Sequence, residues 1–225
     1  MAESYVPLSD DVWEIENAFY LRSDSTRISK LLAQYEIYKM IVGLPGAVVE
    51  CGVFKGASFS RFAAFRRSLE TEDSRELVGF DAFGAFPMSG VAADADRAFI
   101  EQFEAKAGRG IAACDLDGLL RAKGHQNFTL VPGDLAVTIN EFLLTRPELR
   151  IALLHLDLDV YEPTRVGIDA LASRMVPGGI VVFDDYNAVE GATRAADEFC
   201  AQRGLQIRKL PFYNVPAFVV VNSPS

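Results

Sequence analysis

The chain has 225 residues, a net charge of -9 and 50% hydrophobic residues. That length suits one domain with a sizeable core, and the apolar content excludes a disordered chain. The acidic balance argues against a nucleic-acid surface, and no apolar stretch approaches the roughly 20 residues of a membrane span. Met1-Ala2-Glu3-Ser4 carry no basic or apolar leader pattern, so no signal peptide is expected and the cytoplasm is the expected address. Cys51, Cys114 and Cys200 are too widely spaced for a disulfide framework or metal cluster, and His125 and His155 are too few for a histidine metal site.

Two helices are predicted first, over about 10–21 and 28–42. Leu31, Leu32, Tyr35 and Tyr38 make a stripe on the second that reads as packing against a sheet, with a lid or subunit contact as the alternative. A first strand at 47–51 runs into a glycine-containing turn and a helix over 58–69, with Phe59, Phe62, Ala63 and Phe65 on one face. Strands follow at 77–81 and 128–131, and 83–96 reads as a loop. Further helices are predicted near 98–107, 135–144, 163–174 and 189–203, the last stopping at Gly204. Two strands in succession, 206–210 and 217–221, joined by 211–216, imply an antiparallel hairpin at a sheet edge. Apolar runs alternating with amphipathic segments otherwise spell a βαβ parallel sheet.

The chemistry concentrates at strand ends. The runs Ile151-Ala152-Leu153-Leu154-His155-Leu156-Asp157-Leu158-Asp159 and Gly178-Gly179-Ile180-Val181-Val182-Phe183-Asp184-Asp185-Tyr186 each end in acids. Open α/β sheets bind ligands in the crevice at the carboxyl ends of their strands. Carboxylates converging there repel unless a cation joins them, and an all-oxygen ligand set suits Mg²⁺ or Ca²⁺ better than zinc. The bland alternative is that they cap helices or end strands. Glu50-Cys51-Gly52-Val53-Phe54-Lys55-Gly56-Ala57-Ser58 forms a turn into a helix N-terminus without the Gly-x-Gly-x-x-Gly pyrophosphate fingerprint. Asp81, ending the second strand, is placed to accept bonds from ribose hydroxyls. Together these suggest an adenosine-bearing ligand without a pyrophosphate, and Glu50 would suit a cationic centre on it. The missing fingerprint and the terminal hairpin argue against an NAD-type oxidoreductase.

Residues 48–58, 79–87 (Gly-Phe-Asp-Ala-Phe-Gly-Ala-Phe-Pro), 155–164 (His-Leu-Asp-Leu-Asp-Val-Tyr-Glu-Pro-Thr) and 178–186 resemble, in order, the motifs of the TylF (macrocin O-methyltransferase) family over roughly residues 40–222. The resemblance implies a three-layer α/β, Rossmann-like methyltransferase fold. Its mostly parallel seven-stranded sheet would carry an antiparallel C-terminal hairpin. Residues 1–43 would form an N-terminal helical extension, a lid or an oligomer contact, and 44–225 the catalytic domain.

It also implies S-adenosylmethionine as cofactor and Mg²⁺ as metal, with Ca²⁺ or Mn²⁺ as substitutes. Glu50, Cys51, Gly52, Val53, Phe54, Gly56 and Ser58 would surround the methionine part. Asp81 would hold the ribose, Asp134 would lie near the adenine, and Asp157 would border the cofactor. Asp157, Asp184 and Asp185 would hold the metal. The related catechol-type enzymes usually carry Asn at the place of Asp185 and a Lys where this chain has Val160. The base must therefore come from elsewhere, with Asp157, Asp159 and His155 as the catalytic candidates. The expected acceptor is a small-molecule hydroxyl, most simply on a sugar, nucleotide-sugar or glycosylated natural product. A phenol acceptor and a non-catalytic S-adenosylmethionine-binding protein are the alternatives. The short N-terminal region argues against a large macrolide acceptor. Tyr161, Tyr186, Phe212 and Tyr213 are expected on loops above the crevice.

Overall fold

The structure is a computed structural model, and it describes residues 11–88 and 91–221. Its centre is a seven-stranded sheet. In chain order the strands are β1 (Ala47–Cys51), β2 (Leu77–Asp81), β3 (Phe128–Pro132), β4 (Ile151–Leu156), β5 (Met175–Phe183), β6 (Arg208–Leu210) and β7 (Tyr213–Val220). Their spatial order is β3-β2-β1-β4-β5-β7-β6. The first five pair in parallel, and β7 runs antiparallel to both β5 and β6. The order turns back between β1 and β4, which opens a crevice at the carboxyl ends of the strands.

The helices are α1 (Val12–Arg22), α2 (Ser25–Lys39), α3 (Ala57–Leu69), α4 (Asp94–Ala107), α5 (Ala113–Ala122), α6 (Leu135–Thr145), α7 (Tyr161–Leu171) and α8 (Glu190–Arg203). One core joins Ile37 and Tyr38 of α2, Phe59 and Phe62 of α3, and Leu116 and Leu120 of α5 to one face of the sheet. The other joins Ile139 of α6, Ile168 of α7 and Phe199 of α8 to the opposite face. The central strands are buried on both faces, which is why they read as unbroken apolar runs.

Several expectations need correction. On α2, Leu31, Tyr35 and Tyr38 of the expected stripe pack against the core with Ala33, Gln34 and Ile37, whereas Leu32 is 47% exposed and lies outside that face. Helix α5 lies in a stretch to which the sequence reading assigned no element. Strand β7 starts at Tyr213, inside the expected connector. Pro216, which has no N–H to give the ladder, is tolerated beside a register shift between Lys209 and Leu210. Helix α4 starts at Asp94, inside the expected 83–96 loop, of which residues 89 and 90 lie outside the described residues. Helix α1 buries no side chain, and Trp13 is 75% exposed. No helix among the described residues is long and apolar enough to cross a membrane.

Candidate active site

The carboxyl ends of β1, β2, β4 and β5 open into one cavity of about 500 Å³, within the range of small-molecule sites. Gly52, Asp81, Asp157, Asp159, Asp184 and Asp185 lie on its wall, and α2, α3 and α7 complete the enclosure.

The β1 turn is shaped by two constraints. Gly52 has φ +91°, and a Cβ there would stand 1.7 Å from the Asp157 carbonyl oxygen. Only glycine lets the turn approach β4 this closely. Asp81 then pins the turn: its Oδ2 accepts from the backbone N–H of Val53 and of Phe54, both at 2.8 Å, and its Oδ1 from Phe83 N–H at 2.6 Å. Burial raises the Asp81 pKa, and these three bonds oppose that. Asp134 caps α6, accepting from Ala136 N–H at 3.0 Å, and stands on the cavity wall.

Alternation along the strands sorts the acids. Glu50 pairs with His155 across β1 and β4, and His155 with Val182 on β5; Asp184 follows two residues later on the same side. His155 Nδ1 lies 3.1 Å from Glu50 Oε1, and Nε2 lies 3.3 Å from Asp184 Oδ1. Burial alone would lower the His155 pKa, but the hydrogen bonds and charges of Asp184 and Glu50 win and raise it to about 10. His155 is therefore an imidazolium donating to both acids. It is wholly buried and off the cavity wall, which corrects its candidacy as the base: it can neither reach an acceptor nor take a proton. Cys51 points to the opposite face, into the apolar core, so its thiol does not reach the cavity. Gly56 also stays off the wall; its positive φ of 79° starts α3 against Leu116. Val53, Phe54 and Ser58 line the cavity.

The expected set of Asp157, Asp184 and Asp185 divides between two clusters that share Asp157. Asp157, Asp159 and Asp185 offer oxygens that all lie within 4.8 Å of one another, and so do His155, Asp157 and Asp184. Asp159 is held at φ +63° by its N–H, which donates to Asp185 Oδ2 at 3.1 Å. That turn folds Asp159 back beside Asp157. Burial and mutual repulsion raise the pKa values of Asp157 and Asp185 well above the carboxylate range, and that of Asp159 to about 7.

Sequence reasoning missed Lys30. From α2 its ammonium donates to Asp184 Oδ2 and stands 3.9 Å from Asp157 Oδ2. Burial would lower the Lys30 pKa, but Asp157 and Asp184 raise it, so it stays charged. Asp184 is correspondingly held below its ordinary pKa by the hydrogen bond from His155 and by Lys30, against the effect of burial. The lysine missing after Asp157 is thus replaced, as a charge, from another element. Spacing held the signal: Arg27, Lys30 and Gln34 share one face of α2.

The aromatic expectation fails. Tyr161 and Tyr186 donate to Glu198 and Asp197 of α8, and Tyr213 packs into the core; none lines the cavity, nor does Phe212. Phe54, Phe80, Phe86 and Phe103 are the rings on its wall.

The strand order and the cavity at the carboxyl edge define the Rossmann-like methyltransferase class. Among solved structures, the chain resembles CalS11, a calicheamicin methyltransferase, at 27% identity and a TM-score of 0.71, covering 94% of this chain and 86% of that one. The O-methyltransferase NovP shares the fold at 21% identity and a TM-score of 0.75, covering 87% of this chain and 81% of that one. The profile of the macrocin O-methyltransferase (TylF) family matches residues 25–216, and the chain belongs to that family. A curated relative is the 8-demethyl-8-(2,3-dimethoxy-alpha-L-rhamnosyl)-tetracenomycin-C 4'-O-methyltransferase of Streptomyces olivaceus. It is 29% identical over 167 residues, and the match covers 72% of this chain but 61% of the relative.

Proposed function

We propose that this protein is an S-adenosylmethionine-dependent O-methyltransferase that methylates a sugar hydroxyl of a glycosylated natural product or of its nucleotide-sugar precursor, with a divalent cation. The carrying observation is the cavity in which the Asp81-pinned turn and the Asp157, Asp159 and Asp185 cluster face one another. Family membership supports the reaction class. The relatives named for a rhamnosyl tetracenomycin and for TDP-rhamnose support a sugar over a phenol acceptor.

The residues fit both missing groups. Gly52, Ser58, Asp81 and Asp134 line the cavity, and this supports the methionine part lying at the turn with Asp81 toward the ribose and Asp134 toward the adenine. Glu50, expected beside the cofactor, is wholly buried and stands off the cavity wall, two residues before Gly52, with its Oε2 lacking a hydrogen-bond partner. A sulfonium in that turn would feel it as a nearby buried charge and not as a contact. Asp157 and Asp185, with Asp159 or Asp184 completing the set, offer oxygen ligands to a hard divalent cation. Such a cation would lower the pKa of an acceptor hydroxyl and orient it.

The remaining roles fall to the chain itself. His155 and Lys30 hold Asp184 ionised from behind and from above. Where Asp184 completes the metal set, Asp159, which faces the cavity, would be left free to take the hydroxyl proton as the methyl group passes from sulfur to oxygen. Helix α2 contributes to the site through Lys30 while its other face packs in the core. Calorimetric titration with S-adenosylhomocysteine, with NAD as control, tests the reading. Binding of S-adenosylhomocysteine alone is expected; preference for NAD, or no binding, would contradict it.

A further inference from the structure

Two arginines on the cavity wall have no carboxylate partner among the described residues. Arg27 and Lys30 stand one turn apart on α2, and Arg61 follows Ser58 by one turn on α3; all four line the cavity. Lys30 is engaged by Asp184 and Asp157. Arg61 Nη1 instead donates to Gln34 Oε1 at 3.0 Å, and Gln34 is 1% exposed. A neutral, buried amide thus fixes the guanidinium without cancelling its charge. Burial and then the neighbouring Arg27 charge lower the Arg61 pKa, partly offset by Asp184 and Glu50. Two cations facing one ligand space repel unless an anion lies between them.

The bland role would be to offset the field of the carboxylate cluster. Lys30 and His155 already do so by contact, while neither arginine hydrogen-bonds any of those acids. A guanidinium presents a planar fork matched to phosphate oxygens, and a fixed one loses little freedom on binding. Arg27 is three residues from Lys30, an axial rise of about 4.5 Å on the helix. Since Lys30 contacts Asp157 and Asp184, Arg27 brings a second cation to the same cavity one helical turn away.

We propose that Arg27 and Arg61 form an anion subsite for the diphosphate of a nucleoside-diphosphate sugar. The sugar is then methylated while still joined to its nucleotide, and a glycosyltransferase-type reaction must consume the product afterwards. The inference rests on the methyltransferase reading.

The test uses protein saturated with S-adenosylhomocysteine and Mg²⁺, titrated with thymidine diphosphate, uridine diphosphate and thymidine. At least one diphosphate is expected to bind, with thymidine weaker by about tenfold or more. Arg27→Ala and Arg61→Ala should each weaken the diphosphate by about tenfold or more, Arg61→Lys less, with the affinity for S-adenosylhomocysteine retained. In turnover, the ratio of kcat/KM for TDP-rhamnose to that for a neutral p-nitrophenyl rhamnoside should fall in both alanine variants. Arg27 is exposed, so its removal leaves the fold intact. If neither diphosphate binds, or both alanine variants bind it as the parent does, or the neutral glycoside is the better acceptor, the subsite is refuted while the methyltransferase reading stands. Failure of S-adenosylhomocysteine itself to bind would remove that reading and the subsite with it.

Discussion

Replacing Lys30 by Ala removes the ammonium that contacts the acid cluster. Its nitrogen lies 3.9 Å from Asp157 and closer to Asp184, whose side chain is 2% exposed. At an effective dielectric of about 20, unit charges about 4 Å apart attract by about 4 kcal/mol. Breaking a buried pair from one side typically costs about 3–5 kcal/mol. The Lys30 side chain is 22% exposed and His155 still serves Asp184, so the cost should be nearer 2–4 kcal/mol. For a chain of this size, ~3 kcal/mol corresponds to a melting temperature lower by about 6–12 °C. The variant should show that loss when melted in EDTA. Mg²⁺ should then restore more in the variant than in the parent, since a ligand at 100 times its Kd adds about 2.7 kcal/mol. Equal melting in EDTA, or an equal Mg²⁺ shift in both proteins, would refute the reasoning.

Asp81→Asn can keep its amide oxygen on the Val53 and Phe54 N–H groups, but it then turns an N–H₂ toward the Phe83 N–H. It should lose about 1–3 kcal/mol of stability, and S-adenosylhomocysteine affinity with it; an unchanged urea midpoint would mean that Asp81 merely ends a strand. Gly52→Ala forces a Cβ into the Asp157 carbonyl and adds the roughly 1–2 kcal/mol cost of a left-handed alanine. It should fold less stably and bind S-adenosylhomocysteine poorly, and parental behaviour in both titrations would disprove the close approach.

The central strands were legible because they are buried on both faces, so burial imposes an unbroken apolar pattern; the acids stood out against it at the ends of β4 and β5. Site residues carried by strand ends, Asp81, Asp157, Asp184 and Asp185, therefore fell where the sequence put them. Lys30, Arg27 and Arg61 did not, because a cation on an amphipathic helix looks like any solvated residue until tertiary packing turns that face toward the cavity. Cys51 and His155 show a related limit: alternation gives opposite faces, but not which face opens to a ligand. The β7 start was lost to a proline that a register shift accommodates.

The central claim is metal-assisted methyl transfer at the Asp157, Asp159 and Asp185 cluster. It is tested most directly by following labelled methyl from S-adenosylmethionine to a rhamnosyl acceptor, free or nucleotide-linked, in Mg²⁺ and in EDTA. The Asp157→Asn and Asp185→Asn variants are measured alongside. The account predicts transfer in Mg²⁺, little or none in EDTA, and little or none in either variant despite retained S-adenosylhomocysteine binding. Undiminished transfer in EDTA and in both variants would contradict it.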